Sequence, residues 1–325
     1  MRNWLMAGLM LAAALSMSVG IASAQSWPAK SIKLVNGFPP GGGADILARL
    51  VAEKLTSALG QPVIVENRTG ATGLIAAQSI PTAAPDGYTL LHYTMSMACT
   101  SPVMPGVTMT FDPDKDLMPV VVIAGIDNLI YVNPKTSFKT VKDIIDYAKA
   151  NPDKLTYGST GVGGSYHLWA AFFTSMAGIK MPHVPFRGGP PAIAEIITGR
   201  VDMMFGNLAE ILPHIRSGAV RPIAFTSVPP SPVLPGIPTI AESGLPDYRA
   251  DNWFGIGTPA GTPQAIVDRL NAEVNKIVKD KEFAEKLVSL GFQPVGGSAA
   301  DMKQAIVRDR AKWKAVIEAQ GIRAE

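Results

Sequence analysis

The chain predicts an α/β protein with two parallel-dominated sheets, a cleft between them and two crossover segments. Three observations carry this. Two glycine loops share one local design: Phe38-Pro-Pro-Gly41-Gly42-Gly43-Ala-Asp45 and Ser159-Thr-Gly161-Val-Gly163-Gly164-Ser165-Tyr-His167. Each follows a short β-type run, Ser31 to Val35 and Lys154 to Tyr157, and each opens an amphipathic helix. Around them, β-runs alternate with helical patterns between Gly/Pro/Asn turns, the pattern of an α/β sheet. Finally, the chain leaves a first series of strands near Val120 and regains it near Trp253. Paired crossovers of that kind can act as a hinge.

At the N-terminus, Arg2 precedes an apolar stretch from Leu5 to Ile21 and the small-residue sequence Ala22-Ser23-Ala24. That order predicts a cleaved signal peptide over residues 1–24 and an exported mature chain. The first helix carries Ile46, Leu47, Leu50, Val51 and Leu55 and stops at Gly60. A strand over Pro62 to Glu66, a helix from Leu74 to about Thr82 and a strand over Tyr88 to His92 follow. Val120 to Ile123 form a buried β-run. A second series starts with a strand at Asn128 to Val132 and a helix over Lys139 to Asn151. The second loop opens a helix with Leu168, Trp169, Phe172, Phe173 and Met176, which stops at Gly178. Beyond it come a strand at His183 to Phe186 and a helix with Ile193, Ile196 and Ile197 stopped by Gly199. Then follow a strand at Val201 to Phe205, a helix from Leu208 to Arg216 and a strand at Pro222 to Thr226. A proline-rich connection leads to a returning strand at Asp251 to Gly257, and two helices close the chain, Pro263 to about Val278 and Ala299 to about Gln320. The resulting division is domain 1 over 25–124 and 252–325, and domain 2 over 125–251.

Composition narrows the function. A formal charge of +3 from 29 basic and 26 acidic residues, without a dense Lys/Arg stripe, gives nucleic-acid binding no support. The single cysteine, Cys99, rules out an intramolecular disulfide and sits among apolar residues as a small buried hydrophobe. His92, His183 and His214 lie on separate elements without metal-ligand spacing, so neither a metal nor another cofactor is expected. The second loop has the spacing of a phosphate loop, but Gly164 replaces the required lysine, and Tyr166 stands where a dinucleotide loop needs its third glycine. No Gly-x-Ser-x-Gly elbow is present, so the chain is not expected to be an enzyme. Small-anion binding survives these tests. Glycine loops at helix starts leave backbone N–H groups at the positive end of a helix dipole, open to close approach by a ligand oxygen.

Several segments, taken together, closely resemble a known family. They are 38–49 (Phe-Pro-Pro-Gly-Gly-Gly-Ala-Asp-Ile-Leu-Ala-Arg), 66–73 (Glu-Asn-Arg-Thr-Gly-Ala-Thr-Gly) and 159–168 (Ser-Thr-Gly-Val-Gly-Gly-Ser-Tyr-His-Leu), with Val-Pro-Phe-Arg-Gly-Gly at 184–189, Trp-Phe-Gly-Ile at 253–256 and Lys-Trp-Lys-Ala-Val-Ile at 312–317. They resemble the Bug-type extracytoplasmic solute receptors of tripartite tricarboxylate transporters. The resemblance implies a periplasmic two-domain binding protein of the Venus-flytrap kind, without enzymatic activity and monomeric. It would capture a small carboxylated solute and serve the large and small membrane subunits of the transporter. It also implies that one carboxylate is gripped between the two loops, largely through backbone amides and ordered waters.

The expected ligand-binding set is Phe38, Gly41, Gly42, Gly43, Asp45, Ser159, Thr160, Gly161, Gly163, Gly164, Ser165, His167, Arg187, Asn207 and Trp253. Asp45 would repel an anion, so its side chain is expected to turn away or hold a water. Ser159, Thr160 and Ser165 can donate to the ligand or cap the helix. His167 can aim a ring N–H into the cleft or pack against backbone. Arg187 can pair with a distal carboxylate or sit solvated on the rim. Asn207 and Trp253 can line the pocket, Trp253 alternatively packing at the hinge. A dicarboxylate is the expected ligand, an aromatic acid the alternative, given Phe38, Tyr93, Phe186 and Trp253. A ligand-sensing role beside a membrane signalling protein would use the same pocket.

Overall fold

The structure, a computed structural model, describes residues 27–324, and the signal peptide expected over 1–24 lies outside them. The apolar β-runs and glycine-stopped helices fall largely where the pattern puts them. In chain order the first part comprises β1 (Ile32–Asn36), α1 (Gly43–Leu59), β2 (Val63–Asn67), α2 (Leu74–Gln78), β3 (Thr89–Thr94), the single turn α3 (Pro113–Asp116) and β4 (Leu117–Ile126). The second part holds β5 (Asn128–Val132), α4 (Val141–Ala150), β6 (Tyr157–Ser159), α5 (Ser165–Ala177), β7 (His183–Pro185), α6 (Gly189–Thr198), β8 (Met203–Asn207), α7 (Leu208–Arg216) and β9 (Arg221–Phe225). The chain then returns through β10 (Trp253–Pro259), α8 (Gln264–Lys279), α9 (Lys281–Ser289), β11 (Phe292–Gly296) and α10 (Ala299–Gln320).

Local chemistry sets the ends. Gly60, Gly178 and Gly199 adopt left-handed φ values of 69°, 62° and 79° after α1, α5 and α6, the conformation that terminates a helix without a Cβ penalty. Thr140 with Asp143 and Ser298 with Asp301 form capping boxes that start α4 and α10. Helix α2 ends at Gln78 instead of near Thr82, because Pro81 disfavours a helical Ile80. The pattern reading passed over α9 and β11. Among its residues α9 buries only Phe283 and Leu287, one turn apart, and β11 is an edge strand holding Pro294, so each offers too few buried residues to fix its type.

Two open sheets result, ordered β11-β4-β10-β3-β1-β2 and β7-β6-β8-β5-β9. Both are mixed, where parallel-dominated sheets were expected. β1 pairs in parallel with β2 and β3, and β6 with β7 and β8. The strands next to the crossovers run antiparallel: β10 to β3 and β4, β11 to β4, and β5 to β8 and β9. The reason is connectivity. A strand that hands the chain to the other sheet has no returning helix to keep its neighbour parallel. The chain passes between sheets at Asp127, whose N–H donates to Gly291 O and whose C=O accepts from Leu208 N–H, each at 2.8 Å.

One face of the first sheet packs on α1, α8 and α9 through Leu47, Val51, Leu270, Val274 and Phe283. A second cluster runs from Tyr93, Met97 and Cys99 through Trp313 of α10 to Trp169, Phe173 and Phe205 around the second sheet. Cys99 is fully buried in it and burial pushes its thiol up, which fits a packing role. No helix among the described residues is long and apolar enough to cross a membrane.

Candidate functional site

Strands β1 and β6 each end in a glycine loop that opens a helix, and both loops reach one small cavity between the sheets. Gly42 and Gly164 are the residues preceding α1 and α5, and as glycines neither offers a capping side chain of its own. The cavity, about 30 Å³, is lined by Phe38, Gly42 and Gly43 from one loop and Thr160 and Ser165 from the other, together with Asn207. Ser96 Oγ and Ser165 Oγ lie 2.9 Å apart across it, and Thr100 Oγ1 donates to Gly163 O at 3.1 Å. These bonds tie the two halves directly. Gly43 approaches Asn207 closely, and a Cβ there would stand 2.7 Å from Asn207 Nδ2, so a larger residue would have to displace the amide.

Phe38, Pro39 and Thr160 also line a larger outer cleft of about 450 Å³. Its walls are Thr69 to Leu74, Gly161 and Val162, and Phe186 to Gly188. Arg187 is exposed on this cleft, without a carboxylate partner among the described residues, and no acidic residue lines it. The site thus has a confined inner end, where a few polar side chains stand in a mostly apolar lining, and a roomier outer end with one cation.

The glycine amides themselves have partners inside the protein. Gly41 N–H donates to Asp45 Oδ2 at 3.0 Å, Gly42 N–H to Pro39 O at 3.3 Å and Gly43 N–H to Glu210 Oε2 at 3.1 Å. In the second loop Gly161 N–H donates to Ser159 Oγ, Gly163 N–H to His167 Nδ1 and Gly164 N–H to Gly161 O. These residues therefore shape the loops, and side chains supply much of the polar lining. Ser96, Thr160 and Ser165 offer hydroxyls, while Asn207 Oδ1 and Glu210 Oε1 are buried without hydrogen-bond partners among the described residues.

Seven expected site residues stand behind the lining. Asp45 turns away, as an acid near an anion must. Burial raises its carboxyl, but bonds from Arg49, Asn67 and Gly41 outweigh that and hold it below the ordinary range. Gly41, Gly163 and Gly164 set the loop turns, with φ of 80° at Gly41 and 75° at Gly163. Ser159 is fully buried, its Oγ 2.5 Å from His183 Nε2, so it braces the loop. His167 stacks on His183 with centroids 4.1 Å apart, and burial pushes it down to about 4, leaving it a neutral packed ring. Trp253 faces the opposite side of β10 from the cavity and donates from Nε1 to Asp309 Oδ2 at 2.8 Å. Its strand neighbours Asn252 and Phe254 line the cavity instead, as the two-residue period of a strand requires.

Sequence reasoning passed over Glu210, Ser96, Asn252, Phe254, Pro39 and Gly189. An acid in the first turn of α7 looks like a partner for the helix dipole, and nothing local reveals that it crosses to Gly43. The missed signal was positional: in open α/β sheets ligands lie beyond strand ends, and Ser96 follows β3 while Glu210 follows β8.

A family model described as the tripartite tricarboxylate transporter family receptor matches residues 47–322. Protein BugT of Bordetella pertussis is 32% identical over 301 residues, covering 92% of this chain and 92% of BugT. The structure of Rpa4515 of R. palustris with adipate superposes with a TM-score of 0.90 at 36% identity, over 92% of this chain and all of that one. MatC of Rhodopseudomonas palustris with bound malate gives a TM-score of 0.84 at 28% identity, over 90% of this chain and all of that one. Members of this family are periplasmic solute-binding receptors and not enzymes, in keeping with the packed roles of Ser159 and Cys99. The chain belongs to the Bug-type receptors of the tripartite tricarboxylate transporter family.

Proposed function

We propose that this protein captures a dicarboxylate in the cleft, one carboxylate in the inner cavity and the other beside Arg187. It then delivers the solute to the large and small membrane subunits of a tripartite tricarboxylate transporter. The observation that carries the reading is the meeting of two glycine-led helix starts, α1 and α5, at one small cavity that shares Phe38, Pro39 and Thr160 with a cleft bearing Arg187, which has no carboxylate partner among the described residues. Helix starts attract negative charge by up to about 2 kcal/mol in partly buried geometry. An arginine fork suits a second carboxylate. The adipate and malate in the two structural neighbours are both dicarboxylates, which supports the class.

In this reading the chain is exported, loses residues 1–24 and works as a monomer. Domain 1 comprises 25–124 and 252–325 and domain 2 comprises 125–251, with bending at the crossovers. Ser96 with Ser165, and Thr100 with Gly163, then bond only in the closed form, so a ligand touching both halves favours closure.

A thermal-shift screen of ligand-stripped mature protein against mono-, di- and tricarboxylates tests this. At a hundredfold excess over Kd a ligand adds about 2.7 kcal/mol, a shift of several degrees. The expected result is a shift with at least one dicarboxylate. No shift with any acid would overturn the carboxylate reading.

A further inference from the structure

We infer that Glu210 holds a proton in the inner cavity and, as a neutral carboxylic acid, donates it in a hydrogen bond to the carboxylate of the bound solute. The inference rests on the carboxylate reading above and adds the residue that receives the inner end. Glu210 is 8% exposed. Its Oε2 accepts from Gly43 N–H at 3.1 Å, while its Oε1 is buried, has no partner among the described residues and belongs to the cavity lining. A Cβ on Gly189 would stand 1.9 Å from Oε1, so the carboxyl is pressed against the first turn of α6 as well as that of α1. The positive ends of α1 and α5 draw the solute's anion to a place where a protein carboxyl already sits. Two ionised carboxylates cannot share so small a space, and such pairs hold one proton between them. An O–H donor to a carboxylate oxygen is among the strongest neutral-to-anion bonds available there.

Among the described residues no cation pairs with Glu210. The ionisable groups facing it are Tyr131 of β5 and Tyr166 of α5, both pushed up by burial and then by the Glu210 charge. On α1, Asp45 is committed to Gly41, Arg49 and Asn67, and on α6, Glu195 pairs with Arg200. β8 carries no ionisable residue. Burial, opposed by the Gly43 bond, pushes the Glu210 carboxyl up to about 7 before any solute enters. A solute carboxylate raises it further. Below about pH 7 the proton is in place already, and above it binding must take one up.

Isothermal titration calorimetry with adipate, between about pH 6 and about pH 8.5 in phosphate and in Tris, reads both effects. The expected result is a Kd that weakens about tenfold per pH unit above about 7, with an uptake approaching one proton in the comparison of buffers. Glu210→Gln keeps an acceptor for Gly43 and a donor for the solute, so it should bind adipate with a flat pH profile and no proton uptake. A flat wild-type profile without proton uptake would overturn the proposal and leave the carboxylate reading intact. So would a pH dependence that survives in Glu210→Gln. If that variant fails to fold, the wild-type proton count alone decides. Absence of binding by adipate and by every acid in the thermal screen would remove the carboxylate reading and this inference together.

Discussion

At the scale of single residues, the site is governed by close approach and by charge in confinement. Gly43 faces Asn207 across the cleft, and a methyl group there would overpack the contact. Gly43→Ala should weaken solute binding about tenfold or more, the effect of an overpacking cost of about 1–3 kcal/mol. Calorimetry reads it, and unchanged affinity would mean that the halves do not meet at this residue when the solute is bound. Arg187→Ala should weaken a dicarboxylate about tenfold to a hundredfold and leave the corresponding monoacid unaffected, because only the diacid reaches the outer cleft. Equal losses for both acids would assign Arg187 to the inner carboxylate. Glu210 makes a stability prediction as well. Its folded value of about 7 lies above its ordinary 4.5, so its contribution is fully present below pH 4.5 and is lost as pH rises through 7. The slope approaches about 1.4 kcal/mol per pH unit in that window. Urea unfolding at several pH values should show that decline in the wild type and a shallower one in Glu210→Gln. Asp45 works in the other direction. Burial raises it but its hydrogen bonds lower it further, so its contribution is present above the ordinary carboxylate range and lost in acid.

At the scale of elements, the two strand–loop–helix units were legible because their signals are local. Gly41 to Gly43 and Gly161 to Gly164 precede helices whose apolar period and glycine stops at Gly60 and Gly178 stand in the sequence itself. That both loops open on one cavity followed from two such units in two halves. What could not be read were side chains aimed by tertiary packing. Trp253 looked like a pocket aromatic, yet β10 turns it toward α10 and gives the cavity Asn252 and Phe254. Ser96 lies in a π-helical turn, Ser96–Thr100, for which no pattern was recognisable. Glu210 crosses from α7 to α1, a contact 167 residues apart in the chain. Edge strand β11 and helix α9 each bury only two residues, too few to fix their type from the pattern. Elements remote from the site supply a control. Thr140→Ala removes the reciprocal cap of α4 and should cost about 1 kcal/mol of stability without altering solute affinity. A change in affinity would show that α4 is coupled to the cleft.

At the scale of the whole molecule, two mixed sheets are joined where the chain crosses at Asp127 and returns before Trp253. A solute that bridges the halves favours the closed form by its differential contacts with it. The bonds Ser96–Ser165, Thr100–Gly163 and Glu210–Gly43 line the seam on which such closure would act. In the proposed function one solute is held at both ends. Titrating the mature protein calorimetrically with a straight-chain dicarboxylate series, and with the monoacid of each length, tests it most directly. At least one diacid is expected to bind with a Kd of about 1 μM, near −8 kcal/mol, and the matching monoacid to bind about a hundredfold more weakly. Equal affinity for diacid and monoacid, or no heat from any of them, would contradict it.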